Sequence, residues 1–119
     1  MPLRGVRVLL VEDEAIIAMT AEDMLEELGC VTAAIAATLS EALEAADGEA
    51  FDVAVLDINL NGRESLPVAA RLRELGRPFV FTTGYGVAGS DGEFSDVPLV
   101  TKPYQIADLE AAIRRALGR

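Results

Sequence analysis

The 119-residue chain has no histidine, no tryptophan, one cysteine and one lysine. Without histidine it lacks the usual general base near neutral pH and the commonest transition-metal ligand, so any metal it holds should be a hard cation on oxygen ligands. The single cysteine, Cys30, permits no internal disulfide and reads most simply as a small buried hydrophobe. Aromatics make up 5% of the residues, so the core should be built mainly from Val, Leu, Ile and Ala. No apolar run reaches the length of a membrane span and no signal-peptide h-region is visible, which predicts a soluble, cytoplasmic protein. Positive charge is also scarce: ten basic residues against twenty acidic ones leave a net charge of −10. That sign argues against nucleic acid and anionic membrane, and favours a cationic partner or a bound metal ion. With 51% hydrophobic residues the chain should fold, as a single domain spanning residues 1–119.

What is present alternates between two periodicities. "VRVLLVEDE" (6–14) is an apolar run that ends in three acids, as in a strand buried on both faces of a parallel sheet. Ile17, Met24, Leu25 and Leu28 then recur at helical spacing up to Gly29. A weaker strand follows at 30–36, and Thr38 with Glu41 has the spacing of a capping box opening a helix to about Asp47. "FDVAVLDINL" (51–60) is the clearest strand, and Asn61-Gly62 marks a turn after it. Pro67 suits the first turn of a helix that runs to Gly76. Strands are predicted at 78–84 and 97–102, and an amphipathic helix at 105–117. This is the α/β pattern of a doubly wound parallel sheet. One segment breaks it. Residues 84–98, with four glycines and little apolar periodicity, stand where a fourth helix belongs and predict a loop or a frayed short helix.

Open parallel sheets bind ligands outside the carboxyl ends of their strands. Here the first strand ends in Glu12 and Asp13, the third in Asp57, the fourth in Thr82 and Thr83, and the fifth in Lys102. Each of these residues alone has a plainer reading: acids favour helix N-termini, hydroxyls bond backbone at strand ends, and a lysine is usually a solvated charge. Together they place three acids and an ammonium at one edge. Two carboxylates ~4 Å apart repel by about 4 kcal/mol at an effective dielectric of ~20. A divalent cation relieves that repulsion, and with oxygen donors and room for water Mg²⁺ is the natural candidate. A carboxylate beside Mg²⁺ and an ammonium can act as a nucleophile toward a phosphoryl group. The demand on Lys102 is then a compact, mobile point charge, which distinguishes it from nine arginines whose predominance coding bias alone could explain.

Glu12-Asp13, Asp57, Thr83 and Lys102-Pro103 resemble the signature of the CheY-like response regulator receiver domains of two-component signalling. The resemblance covers essentially the whole chain. It implies a flavodoxin-like (βα)₅ fold with strand order 2-1-3-4-5, and phosphorylation of Asp57 by a sensor histidine kinase or a histidine phosphotransfer protein. It implies Mg²⁺ on Asp13, Asp57 and the carbonyl of Asn59, with Glu12 acting through water, and a cis peptide at Lys102-Pro103. "PFVFTTGYG" (78–86) is similar to the Pro-Phe-x-Phe-Ala-Thr-Gly run of single-domain bacterial regulators often linked to stress signalling. In that alignment Thr83 is the switch hydroxyl and Thr82 replaces alanine. Leu99 stands where other receivers carry an aromatic switch residue, leaving Tyr85 and Tyr104 as candidate substitutes or simply as half-buried side chains.

The expected function is therefore a phosphoryl-accepting switch of a phosphorelay, catalysing only its own phosphorylation and dephosphorylation. The acyl phosphate should draw in Thr83 and order the segment 84–98. Complete switching takes about 5.5 kcal/mol of differential interaction. A charge-assisted hydrogen bond supplies ~1.5–3 kcal/mol, so Thr83 and Lys102 would have to act together. The expected readout is a downstream protein bound through the fourth helix, fifth strand and fifth helix, by a monomer or weak dimer. Two alternatives stand beside this one. A haloacid-dehalogenase-like phosphatase would use the spacing of Asp57 and Asn59, and a receiver-like module would bind without being phosphorylated.

Overall fold

The computed structural model describes residues 3–84 and 94–118. Along the chain the elements are β1 (Arg7–Val11), α1 (Ala15–Glu27), β2 (Val31–Ala36), α2 (Leu39–Gly48), β3 (Val53–Asp57), β4 (Asn59–Leu60), β5 (Arg63–Glu64), α3 (Leu66–Glu74), β6 (Phe79–Thr83), β7 (Leu99–Thr101) and α4 (Ile106–Leu117). Five strands form a parallel sheet in the order β2-β1-β3-β6-β7. Counting parallel strands alone, this is the expected 2-1-3-4-5.

The sheet is covered on both faces, which is why its central strands read as unbroken apolar runs. On one face Leu9, Val11, Leu56, Phe79 and Phe81 pack with Ala42 and Ala46 of α2 and with Val68, Ala69 and Leu72 of α3. On the other, Val8, Leu10, Val55, Val80 and Val100 pack with Ala18, Ala21 and Leu25 of α1 and with Leu109, Ala112 and Ile113 of α4. Cys30 is a buried member of this second cluster, as its isolation suggested. The few aromatics are concentrated: Phe79, Phe81 and Phe94 stack edge-to-face with centroids 5.6–6.2 Å apart.

Local signals set several boundaries. Thr38 Oγ1 accepts from the Glu41 N–H at 3.1 Å, and the Glu41 carboxylate reaches back to the Ala37 N–H at 2.8 Å. At Gly29, φ is +90° and a Cβ would sit 3.2 Å from Arg4 Cα, so both conformation and space call for glycine.

The expected strand 51–60 departs from its reading. It stops at Asp57, and the chain then folds into the two-residue-loop hairpin β4–β5. Asn61 (φ 54°) and Gly62 (φ 80°) both take the left-handed conformation that such a loop demands. Alternating apolar residues carried the strand reading past the point where the sheet ends. The loop expected over 84–98 falls largely on residues 85–93, outside the described residues, as does Tyr85. Among the described residues there are four helices, and none is long and apolar enough to cross a membrane.

Candidate functional site

The carboxyl ends of β1, β3, β6 and β7 meet at a cavity of about 650 Å³ whose wall includes Asp13, Asp57, Asn59 and Lys102. Parallel register brings them there. Asp57, the last residue of β3, is the strand partner of Thr82, and Thr82 of Val100, two residues before the lysine.

Lys102 is the hub of the site. Its Nζ lies 2.9 Å from Asp57 Oδ2 and 2.7 Å from Glu12 Oε1. Burial alone would push this ammonium toward deprotonation. Hydrogen bonds to Glu12 and Asp57 and the charge of both acids outweigh that and push its pKa above the ordinary lysine value. Asp57 moves the opposite way. Burial raises its pKa to about 6 and the neighbouring Glu12 charge adds to the shift, while Lys102 and the Asn59 N–H hold it back. One cation thus serves two buried acids, and the central one stays short of full compensation.

The other predicted residues fall around this hub. Asp13, half-buried, accepts from the Asn61 N–H at 3.0 Å. Asn59 donates its N–H to Asp57 Oδ1 at 3.2 Å, while its own Oδ1 accepts from the Gly62 N–H at 2.8 Å. The Asn59 side chain therefore braces the hairpin turn. Thr83 is buried at the end of β6 and its carbonyl accepts from the Lys102 N–H at 2.8 Å. Gly84, and not Thr83, forms the cavity wall there. The Lys102-Pro103 peptide is cis, as the resemblance implied.

Three contacts escaped the sequence reading. Ser65 sits at the α3 N-cap position, yet its hydroxyl does not cap the helix. It donates to the Asp57 carbonyl at 2.5 Å, fixing the backbone under the central acid. The Asn61 N–H reaches Asp13 because the Asn-Gly loop folds back over the site. Tyr104, buried, has its hydroxyl 3.4 Å from Glu12 Oε1. Burial is the first cause that pushes this phenol up to about 12. Only the Asn-Gly pair left a mark in the sequence.

The residues fit a hard divalent cation. Carboxylate oxygens of Glu12, Asp13 and Asp57 lie within 4.8 Å of one another, all the donors are oxygen, and Asp13 opens to the cavity.

A parallel sheet that gathers acids and a lysine at its carboxyl edge defines a flavodoxin-like phosphoacceptor class. The chain belongs to the response regulator receiver domain family, whose profile matches residues 8–114. It is 37% identical to the transcriptional regulatory protein TcrA of Mycobacterium tuberculosis, over 97% of this chain and 47% of TcrA. It is 33% identical to the phyllosphere-induced regulator PhyR of Methylorubrum extorquens, over 92% of this chain and 43% of PhyR. The chain spans about half the length of the curated relatives it matches. Among solved structures it resembles SdrG from Sphingomonas melonis Fr1, with 37% identity, full coverage of this chain, 99% of that one, and a TM-score of 0.83. Receiver membership makes the chain a phosphoacceptor signalling switch and does not favour the phosphatase alternative.

Proposed function

We propose that Asp57 is the phosphoacceptor of this receiver and that Mg²⁺ bound by Asp13, Asp57 and the Asn59 carbonyl, with Glu12 acting through water, supports the transfer. The observation that carries the reading is the buried Asp57 carboxylate at the cavity, held by the chain's sole lysine at 2.9 Å. An Asp57 carboxylate oxygen forms the new bond to phosphorus. The bond from phosphorus to the donor breaks, and the leaving group departs with the electron pair. When the donor is a phosphohistidine, the imidazole so released takes up the proton it needs from water. The cation supplies charge neutralisation for the phosphoryl oxygens. Lys102 exchanges Asp57 Oδ2 for a phosphoryl oxygen, a swap that suits a flexible ammonium better than a rigid guanidinium.

The phosphodonor in this reading is a sensor histidine kinase or a histidine phosphotransfer protein, and the readout is a downstream protein. Thr83 is the switch hydroxyl, moving toward the phosphoryl group from the end of β6. Support comes from family membership and from the site's position on the strand ends.

Acetyl phosphate with Mg²⁺, followed by intact mass, tests the reading. One lasting phosphoryl adduct is expected on the wild type and none on Asp57→Asn. Absence of any adduct, or sustained phosphomonoester turnover, would reject it.

A further inference from the structure

The Asn59 carbonyl can serve a cation only if the strand beside it leaves it free. β4 and β5 run antiparallel, with Asn59 opposite Glu64 and Leu60 opposite Arg63. One position nearer the base of the hairpin, the Ser65 N–H donates to the Ile58 carbonyl at 2.7 Å. Hydrogen-bonded and non-hydrogen-bonded pairs alternate along an antiparallel ladder, so Asn59 and Glu64 form a non-hydrogen-bonded pair. Within a strand, one residue sends its N–H and its C=O to the same side. The Asn59 N–H goes to Asp57 Oδ1 at 3.2 Å, not to β5. Its carbonyl is therefore turned away from β5, to the side of the Asp57 carboxylate.

Ser65 holds that register at the base. A slip of one residue would set Asn59 opposite Ser65 and draw its carbonyl into the ladder. Ser65 is fully buried and grips two successive carbonyls, Ile58 through its N–H and Asp57 through its hydroxyl, the second at 2.5 Å. A serine at a helix N-cap ordinarily turns its oxygen to the N–H groups of the first turn. Here only the Ser65 carbonyl opens α3, accepting from the Val68 and Ala69 N–H groups at 2.9 and 3.2 Å, and the side chain makes no cap bond. The helix forgoes a cap and the hydroxyl serves the site. At the tip of the same hairpin the Asn61 N–H holds Asp13 at 3.0 Å, so a shift at the base would move a second carboxylate as well.

We propose that Ser65 is a positioning residue for phosphoryl transfer: its hydroxyl, bonded to the Asp57 carbonyl, locks the hairpin register that presents the Asn59 carbonyl to a divalent cation. The inference rests on the Mg²⁺ reading above and adds to it a residue outside the ligand set. Without the hydroxyl, the Asp57 carbonyl loses this donor and the base of the hairpin is free to slip. The bond between Lys102 and the Asp57 carboxylate does not involve Ser65, so the acceptor itself stays intact. The defect therefore falls on the Mg²⁺ requirement and not on the transfer at saturating Mg²⁺.

Calorimetry with Mg²⁺ and acetyl phosphate uptake followed by intact mass test this together. In Ser65→Ala, Mg²⁺ binding should weaken about tenfold and the half-saturating Mg²⁺ for uptake should rise by about the same factor, with the saturated rate held within about twofold of wild type. Ser65→Thr keeps the hydroxyl and should return the Mg²⁺ requirement to the wild-type range, even where its extra methyl lowers the melting temperature. Ile113→Val, in the core on the other face of the sheet, should lower the melting temperature and leave the Mg²⁺ requirement alone. In the wild type, the carbonyl ¹³C resonance of Asn59 should move when Mg²⁺ is added. Suppose the wild type binds Mg²⁺ but Ser65→Ala binds it equally well, or loses saturated rate with no change in Mg²⁺ requirement, or the Asn59 resonance stays still. Any of these would overturn the role of Ser65 and leave Mg²⁺ binding itself standing. No binding heat with the wild type would overturn both.

Discussion

The two edges of the sheet handle charge in opposite ways. At the carboxyl edge one lysine serves two buried acids, and burial still leaves the Asp57 pKa raised. At the amino edge arginines are fastened down. Arg77 stacks 3.6 Å from the Phe51 ring and donates to the carbonyls of Ala46, Glu49 and Phe51 at 2.7–3.3 Å. Arg73 lies 5.1 Å from the Phe94 ring and pairs with Asp96 at 3.0 Å. The planar fork, with five donors, suits a place that must hold still, and the point charge suits a place that must change partners. Uneven use of Lys and Arg in this chain therefore matches a division between scaffold and site.

The sharpest way to break this contrast is Lys102→Ala. It leaves Glu12 and Asp57 adjacent with no cation, and a loss of ~3–5 kcal/mol is expected by urea unfolding without Mg²⁺. Mg²⁺ should restore part of it; a loss below ~1 kcal/mol would mean that the lysine is dispensable in the way a surface charge is. Arg77→Ala should cost about 2 kcal/mol through lost stacking and carbonyl bonds, with phosphoryl uptake unchanged. Arg77→Lys should recover little of it, because an ammonium cannot reach three carbonyls and lie flat on a ring.

Asp57→Asn tests the strain at the site. Burial raises the Asp57 pKa to about 6, so the folded chain holds this proton more tightly than the unfolded chain does. The stability it contributes is present at pH values below the ordinary aspartate range and is lost as pH rises through about 6. At pH 7 without Mg²⁺, Asp57→Asn should therefore be the more stable protein by ~1–2 kcal/mol, the full shift being discounted for water in the cavity. The gap should close toward pH 4; a gap that ignores pH would show that the raised pKa is not its source. The smallest effect belongs to the half-buried helix pair Arg114–Glu110, 2.6 Å apart. Glu110→Gln should cost ~0.3–0.5 kcal/mol, and less at high salt.

Much of this was legible in the order of residues. Apolar runs located all five parallel strands, four of them ending in polar groups and the second only weakly marked, and Thr38 with Glu41 located a helix start. Glu12, Asp57 and Lys102 were legible because strand ends in a parallel sheet share an edge. What stayed hidden had no local signal. Ser65 looks like a helix cap and instead holds the Asp57 carbonyl, a contact made only because the hairpin returns the chain beneath β3. Thr82 and Thr83 are adjacent and chemically alike. Nothing in their local sequence shows that Thr82 is the one beside Tyr104.

The sequence on its own determined the strand–helix alternation, the oxygen-only donor set and the charge types at each strand end, because hydrophobic period and residue chemistry are local properties. Tertiary structure alone decided which acids share the lysine, which hydroxyl braces the Asp57 carbonyl, and where the Asn-Gly turn lands. Those outcomes depend on distances of a few ångströms between residues remote along the chain, and only the register of packed strands sets such distances.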